Sequence, residues 1–98
     1  MVVDRDVGGG SYANLSDRDR RTLRDGQIHG WNPTPQEQAR IHAAVGAVPA
    51  YTGSSQSDEE EYELTVLDQL RMTHPAELVP SEPSVRYYLA AARRARSA

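Results

Sequence analysis

A chain of 98 residues with a net charge of −3 is one small domain at most, and its twenty Ile, Leu, Val, Met and Trp side chains can build only a thin core. The lack of cysteine excludes disulfides and cysteine-ligated metals, and no apolar run approaches the roughly 20 residues that span a bilayer. The first six residues carry acids where a signal peptide carries positive charge, so we expect a cytoplasmic protein.

Charge is segregated along the chain. All eleven cationic side chains are arginine, an unbroken acidic run covers Asp58 to Glu61, and no acid follows Glu82. This layout predicts a small helical module with a polarised surface. The Lys-free, Ala- and Arg-rich composition is also typical of a GC-rich genome, so an accessory protein of an actinobacterium or its phage would fit.

The N-terminal residues hold little to bury. They include Gly8, Gly9 and Gly10, and we expect residues 1–14 to form a flexible arm ahead of a single helical domain at 15–98. A phosphate-binding loop is excluded because its pattern needs a lysine, which the chain lacks.

The first helix is expected from Asp17 to about Asp25. Ser16 is a good N-cap residue, and Gly26 supplies a stop signal at the other end. Its only large apolar residue is Leu23. Such a helix must dock on another element to be stable.

The second helix has a sharp start. Thr34 is its cap, Pro35 takes the first helical position, and Glu37 completes a capping box. Apolar residues at spacings of three and four then form one stripe, and Pro49 ends the helix. The stripe consists of Ile41, Ala44, Val45 and Val48.

The third helix is expected from Asp58 to about Thr73. Ser57 and Glu60 match a capping box at its start. Residues 61–66 also alternate between polar and apolar, which is the period of a strand. The cap and the continuation of the apolar face favour a helix. That face consists of Tyr62, Leu64, Val66, Leu67 and Leu70.

Prolines at positions 75, 80 and 83 leave room for one short turn, Ala76 to Val79, before a last helix that begins near Ser84. The buried stripe of this helix is expected to be Val85, Tyr88, Leu89 and Ala92. Together the elements predict an all-α fold, a small bundle of three to four short helices with a flexible N-terminal arm.

Patterns for catalysis or metal binding do not stand out. The imidazoles of His29, His42 and His74 are far apart in the chain, whereas metal-binding histidines usually include a pair at short spacing. No serine lies in a nucleophile elbow, and the acidic run lacks the central glycine of a calcium loop. We therefore expect no catalytic residue, no metal ligand and no cofactor.

A non-catalytic role in protein interaction is the function that these features favour. A thin core gains burial when the chain oligomerises or docks on a larger protein, and Trp, Tyr and Arg are enriched in interface hot spots. Trp31 lies between Gly30 and Pro33 and is either a lid on the core or an exposed anchor. The predicted partner-binding residues are Trp31, Tyr87, Leu89, Arg86, Arg93 and Arg94.

The alternative is a small DNA-binding regulator. In that case His74 to Val79 would be the first helix of a helix-turn-helix, and Ser84 to Arg96 would be the recognition helix, whose arginines contact phosphates and base edges. The string from Pro80 to Leu89 resembles the start of recognition helices in bacterial regulators and transposases. A pI near 5.5 weighs against nucleic acid as the partner, because such binders usually have a pI above about 9.

Overall fold

Four α-helices and one 3-10 turn make up residues 15–51 and 55–97, the part of the chain that the computed structural model describes. The order is α1 (Asp17–His29), α2 (Pro35–Ala47), α3 (Gln56–Thr73), the 3-10 turn (Ala76–Leu78) and α4 (Glu82–Ser97). No strand occurs in this part of the chain. The prediction of an all-α fold is confirmed, while the predicted arm at residues 1–14 lies outside the described residues.

Helix α1 is longer than expected. Its start is confirmed, since the backbone N–H of Asp19 donates a 3.1 Å hydrogen bond to the Ser16 hydroxyl. The predicted stop at Gly26 is wrong, because the helix continues to His29 and ends at Gly30, which has a φ of 71°. Gly26 is buried inside the helix, and a methyl group at this position would overlap the ring of Tyr87 on α4. The lack of a side chain at Gly26 therefore allows α1 and α4 to pack closely.

Helix α2 begins where the sequence places it. The N–H of Glu37 donates to the Thr34 hydroxyl at 3.2 Å, and the N–H of Thr34 donates to the Glu37 carboxylate at 2.9 Å. This reciprocal pair is the capping box, with Pro35 at the first helical position. Of the predicted stripe, Ile41 and Ala44 are buried.

Helix α3 is a helix through residues 61–66, so the strand alternative is wrong. Its start lies two residues before the predicted one. Ser55 is the cap and pairs with Asp58, at 3.1 Å and 3.4 Å, instead of Ser57 with Glu60. Both serines are followed three residues later by an acid, so the local pattern does not choose between them.

Helix α4 also starts earlier than expected, at Glu82 instead of Ser84. The Ser81 hydroxyl accepts a 3.3 Å hydrogen bond from the N–H of Ser84 and so acts as its cap. Pro83 falls in the first turn, where a missing N–H costs no helical hydrogen bond. The proline therefore belongs to the helix and does not precede it.

Helix α4 is the central element of the fold, because α1, α2 and α3 all pack against it. The larger apolar cluster joins α2, α3 and α4 and contains Ile41, Ala44, Val66, Leu67, Leu70, Val85 and Leu89. A smaller cluster of Leu15, Leu23 and Ala90 holds α1 against α4. Each cluster is small, as the apolar inventory of the chain requires.

Candidate interaction surface

A buried ion pair ties the start of α1 to the end of α4. The Arg93 guanidinium donates from Nε to Asp19 Oδ2 at 2.7 Å and from Nη2 to Asp19 Oδ1 at 3.1 Å. Asp19 is only 1% exposed. A bidentate pair of this kind is geometrically specific, and loss of either partner would leave a buried charge without its main contact.

A second buried pair joins α1 to α3 at Glu63, two residues after the acidic run. The Arg18 guanidinium donates two hydrogen bonds to Glu63, at 2.6 Å and 2.7 Å, and approaches Glu60 at 3.7 Å and Glu59 at 3.9 Å. These carboxylates raise the pKa of Arg18 above its ordinary value, chiefly through the hydrogen bonds that Arg18 donates to Glu63. Arg86 of α4 approaches Glu63 from its other side at 3.7 Å. Glu63 is therefore paired inside the chain, and Arg18 also lies near two acids of the run.

Glu59 is the carboxylate of this ionic cluster whose pKa is raised. The residue is 6% exposed, and burial together with the nearby Asp19 carboxylate raises its pKa. Arg93, a 3.2 Å hydrogen bond from the Ser16 hydroxyl, and Arg18 act in the opposite direction. Burial is the largest cause of the net shift, and the charge of Asp19 adds to it.

Tyr51 lies beside the same cluster, after the end of α2. The Arg93 guanidinium is 5.7 Å from the centre of its ring, and burial raises the pKa of the phenol. The hydroxyl is buried and has no hydrogen-bond partner among the described residues. The ring also packs 5.3 Å from that of Tyr62, and the two tyrosines form one aromatic surface.

Three of the predicted partner-binding residues take part in packing within the chain. Leu89 is in the larger apolar cluster and is 4% exposed. Arg93 and Arg86 face carboxylates of α1 and α3. Arg94 is half-buried on the same helix. Their role toward a partner stays a prediction, and any such role would compete with these internal contacts.

The aromatic candidates lie apart from each other. Trp31 is half-buried, stacks on His29 at 5.5 Å between ring centres, and lines a small cleft with Arg86. Tyr87 packs over Gly26 and lines a different cleft, with Asn32. The structure therefore brings Trp31 and Arg86 together but does not join them to Tyr87 in one cleft.

The largest of the clefts described lies between α2 and the second half of α4, with a volume of about 740 Å³. A second cleft, of about 360 Å³, shares Ala50, Tyr51 and Tyr62 with it. We call the two together the α2–α4 groove. The side chains that line its centre are mostly apolar or aromatic and are Val45, Val48, Ala50, Tyr51, Tyr62, Tyr88 and Ala92.

The α2–α4 groove has charges of opposite sign at its two ends. Arg96 lines the first cleft, and Glu61 lines the second. Tyr62 and Tyr88 belong to apolar stripes predicted from the sequence, whereas no role was predicted for Tyr51. The signal that could have indicated the groove is the number of tyrosines on those stripes, since a buried tyrosine must place its hydroxyl near a polar group or the surface.

Among residues 15–51 and 55–97, no group of three or more His, Asp or Glu side chains has an arrangement that could hold a metal ion. None of the helices described there is long and apolar enough to cross a membrane. Comparison of the chain with protein-family models, with curated proteins and with solved structures finds no match.

Proposed function

We propose that the chain is a non-catalytic protein-interaction subunit that uses the α2–α4 groove to oligomerise or to dock on a larger protein. The observation that carries this proposal is the groove itself. It leaves partly exposed valine and tyrosine side chains around the edge of the main core. Tyrosine and apolar side chains of this kind are favoured at the centre of protein interfaces.

The size of the chain supports the same proposal. Val45, Val48, Tyr62 and Tyr88 pack against the larger apolar cluster but are not covered on their outer side. A small domain gains stability when a second chain removes such surface from water, because apolar burial is the main favourable term in association. Its cytoplasmic address and its lack of catalysis stay predictions from the sequence.

Nucleic acid is the less favoured partner. Arg93 is held by Asp19 in a bidentate pair, and Arg86 faces two carboxylates, so phosphate contacts would require these pairs to break. The 3-10 turn Ala76–Leu78 has three residues. It is shorter than the first helix of a helix-turn-helix, which crosses the DNA backbone.

The proposal can be tested by filling the groove without disturbing the core. Gly46 lines the groove, and nothing lies within 4 Å of a Cβ placed there. Gly46→Glu therefore introduces a long charged side chain at the groove from a position where its Cβ meets no other atom. The matched control is Ala43→Glu, a change to the same residue at an exposed position of α2 outside the groove lining.

The assay is an affinity pull-down from the lysate of the native host after nuclease treatment, read by mass spectrometry. We expect a protein retained by the parent chain and by Ala43→Glu but lost with Gly46→Glu. Circular dichroism confirms that both variants are folded. Equal retention by all three chains would refute the assignment of the groove, and capture of nucleic acid alone would favour the regulator.

A further inference from the structure

We infer that the occupant of the α2–α4 groove is the same groove of a second copy, in a dimer with two-fold symmetry. This inference rests on the proposed function and specifies its partner. A two-fold contact uses one surface twice, so the surface must be complementary to itself after a half-turn. The groove meets this condition because it has opposite charges at its two ends and apolar side chains between them.

The charges at the two ends have no side-chain partner among residues 15–51 and 55–97. Glu61 and Arg96 are both exposed, and neither side chain has an ion pair or hydrogen bond to another described residue. The other charged groups of the lining, Arg93 and Asp58, already make contacts within the chain, Arg93 with the Asp19 carboxylate and Asp58 with the N–H of Ser55. Glu61 at one end of the groove and Arg96 at the other are therefore the charged groups that a partner could contact.

A half-turn about the middle of the groove brings these ends together. Glu61 of one copy then faces the partner subunit's Arg96, and the reverse contact forms at the other end. Two complementary contacts arise from a single pair of residues. Parallel placement of the copies would instead bring like charges together, which disfavours that arrangement.

The shape of the groove allows such an approach. One wall is the last part of α4, whose side chains toward the groove include Ala92 and Ala95. Short side chains let this wall enter the facing groove, while Tyr62, Tyr88 and Val45 supply the apolar surface that the contact covers. The association is then driven by burial at the centre, and its register is set by charge at the ends.

The test is a charge swap on the full-length chain, read by sedimentation equilibrium at low salt. Glu61→Arg alone and Arg96→Glu alone each create two like-charge contacts in the dimer. We expect each to weaken the dimer by about tenfold or more in Kd. An equimolar mixture of the two single variants restores a heterodimer, and the double variant restores the homodimer, because opposite charges face each other again in both.

The matched control exchanges two exposed charges outside the groove, Arg21→Glu with Glu77→Arg, and is expected to dimerise like the parent chain. The parent dimer should also weaken as salt rises, because screening reduces exposed charge contacts. Gly46→Glu is expected to weaken the dimer as well, since its side chain occupies the space that the second copy would fill.

A parent chain that stays at the mass of one copy at millimolar concentration overturns the inference. So does a dimer that withstands both single variants, or a mixture of the variants that stays monomeric. If a protein other than this chain is nevertheless lost from the pull-down with Gly46→Glu, the groove binds a different partner and the proposed function stands. If Gly46→Glu changes neither the dimer nor the pull-down, the inference and the proposed function both fail.

Discussion

Two helical glycines should respond in opposite directions to the same substitution. Gly46 lies near the end of α2 and faces open space, whereas Gly26 lies inside α1 against the ring of Tyr87. Alanine is favoured over glycine in a helix for backbone reasons alone. The difference between the stability changes at the two sites therefore measures the packing of α1 on α4 separately from helix propensity.

The magnitudes follow from what a methyl group meets at each site. Gly46→Ala gains the backbone effect, about 0.4–1 kcal/mol, and meets nothing within 4 Å. Gly26→Ala makes the same gain but forces the methyl group into a rigid ring, and overpacking of this kind costs about 1–3 kcal/mol. The overlap involves two ring atoms of Tyr87, so we take the upper end and expect a net loss of about 2 kcal/mol.

Thermal unfolding followed by far-UV circular dichroism measures both effects. For a domain of this size we expect Tm to rise by about 2–8 °C for Gly46→Ala and to fall by about 8–16 °C for Gly26→Ala. In a Tyr87→Ala background the penalty at Gly26 should disappear, which a double-mutant cycle would show. If Gly26→Ala stabilises the chain as Gly46→Ala does, the close approach of α1 and α4 is wrong.

Three further predictions concern the ionic cluster and the helix caps. Asp19→Asn removes the buried carboxylate that the Arg93 guanidinium contacts with two hydrogen bonds and should cost about 3–5 kcal/mol in urea unfolding, whereas the exposed Asp17→Asn should cost about 1 kcal/mol or less. Because folding raises the pKa of Glu59, the ionised Glu59 side chain costs stability as pH rises above its ordinary pKa of 4.5. Glu59→Gln should therefore gain stability relative to the parent chain between acidic and neutral pH, and a constant difference across that range would contradict this reasoning. Ser55→Ala should destabilise α3 by about 1 kcal/mol, while Ser57→Ala should be close to neutral. Equal losses for the two serines would show that the helix start is shared between them.

Local chemistry determined which segments are helices. The start of α2 is complete within four residues, because Thr34, Pro35 and Glu37 satisfy the free N–H groups without help from the rest of the chain. The same holds for Ser16 at the start of α1. Caps and apolar spacing act over a few residues, so they can be read from the sequence alone.

Helix boundaries that depend on a neighbour could not be read in this way. Gly26 and Gly30 are both plausible stops for α1, and only the ring of Tyr87 distinguishes them, since it requires the first glycine inside the helix. Ser55 and Ser57 both match a capping box, and only the structure shows that Asp58 pairs with the earlier serine. The sequence offers two equal local solutions in each case.

The tertiary structure also decided what the charges do. Asp19 and Arg93 are 74 residues apart, and only the antiparallel packing of α1 on α4 makes them a buried pair. The packing of the helices also buries Glu63 and leaves Glu61 exposed at one end of the groove. The sequence by itself determined the all-α content, most helix starts and the segregation of charge, because these depend on neighbours within a few residues. Which charges are neutralised and which remain available to a partner was decided by the packing, because electrostatic pairing depends on distance in space.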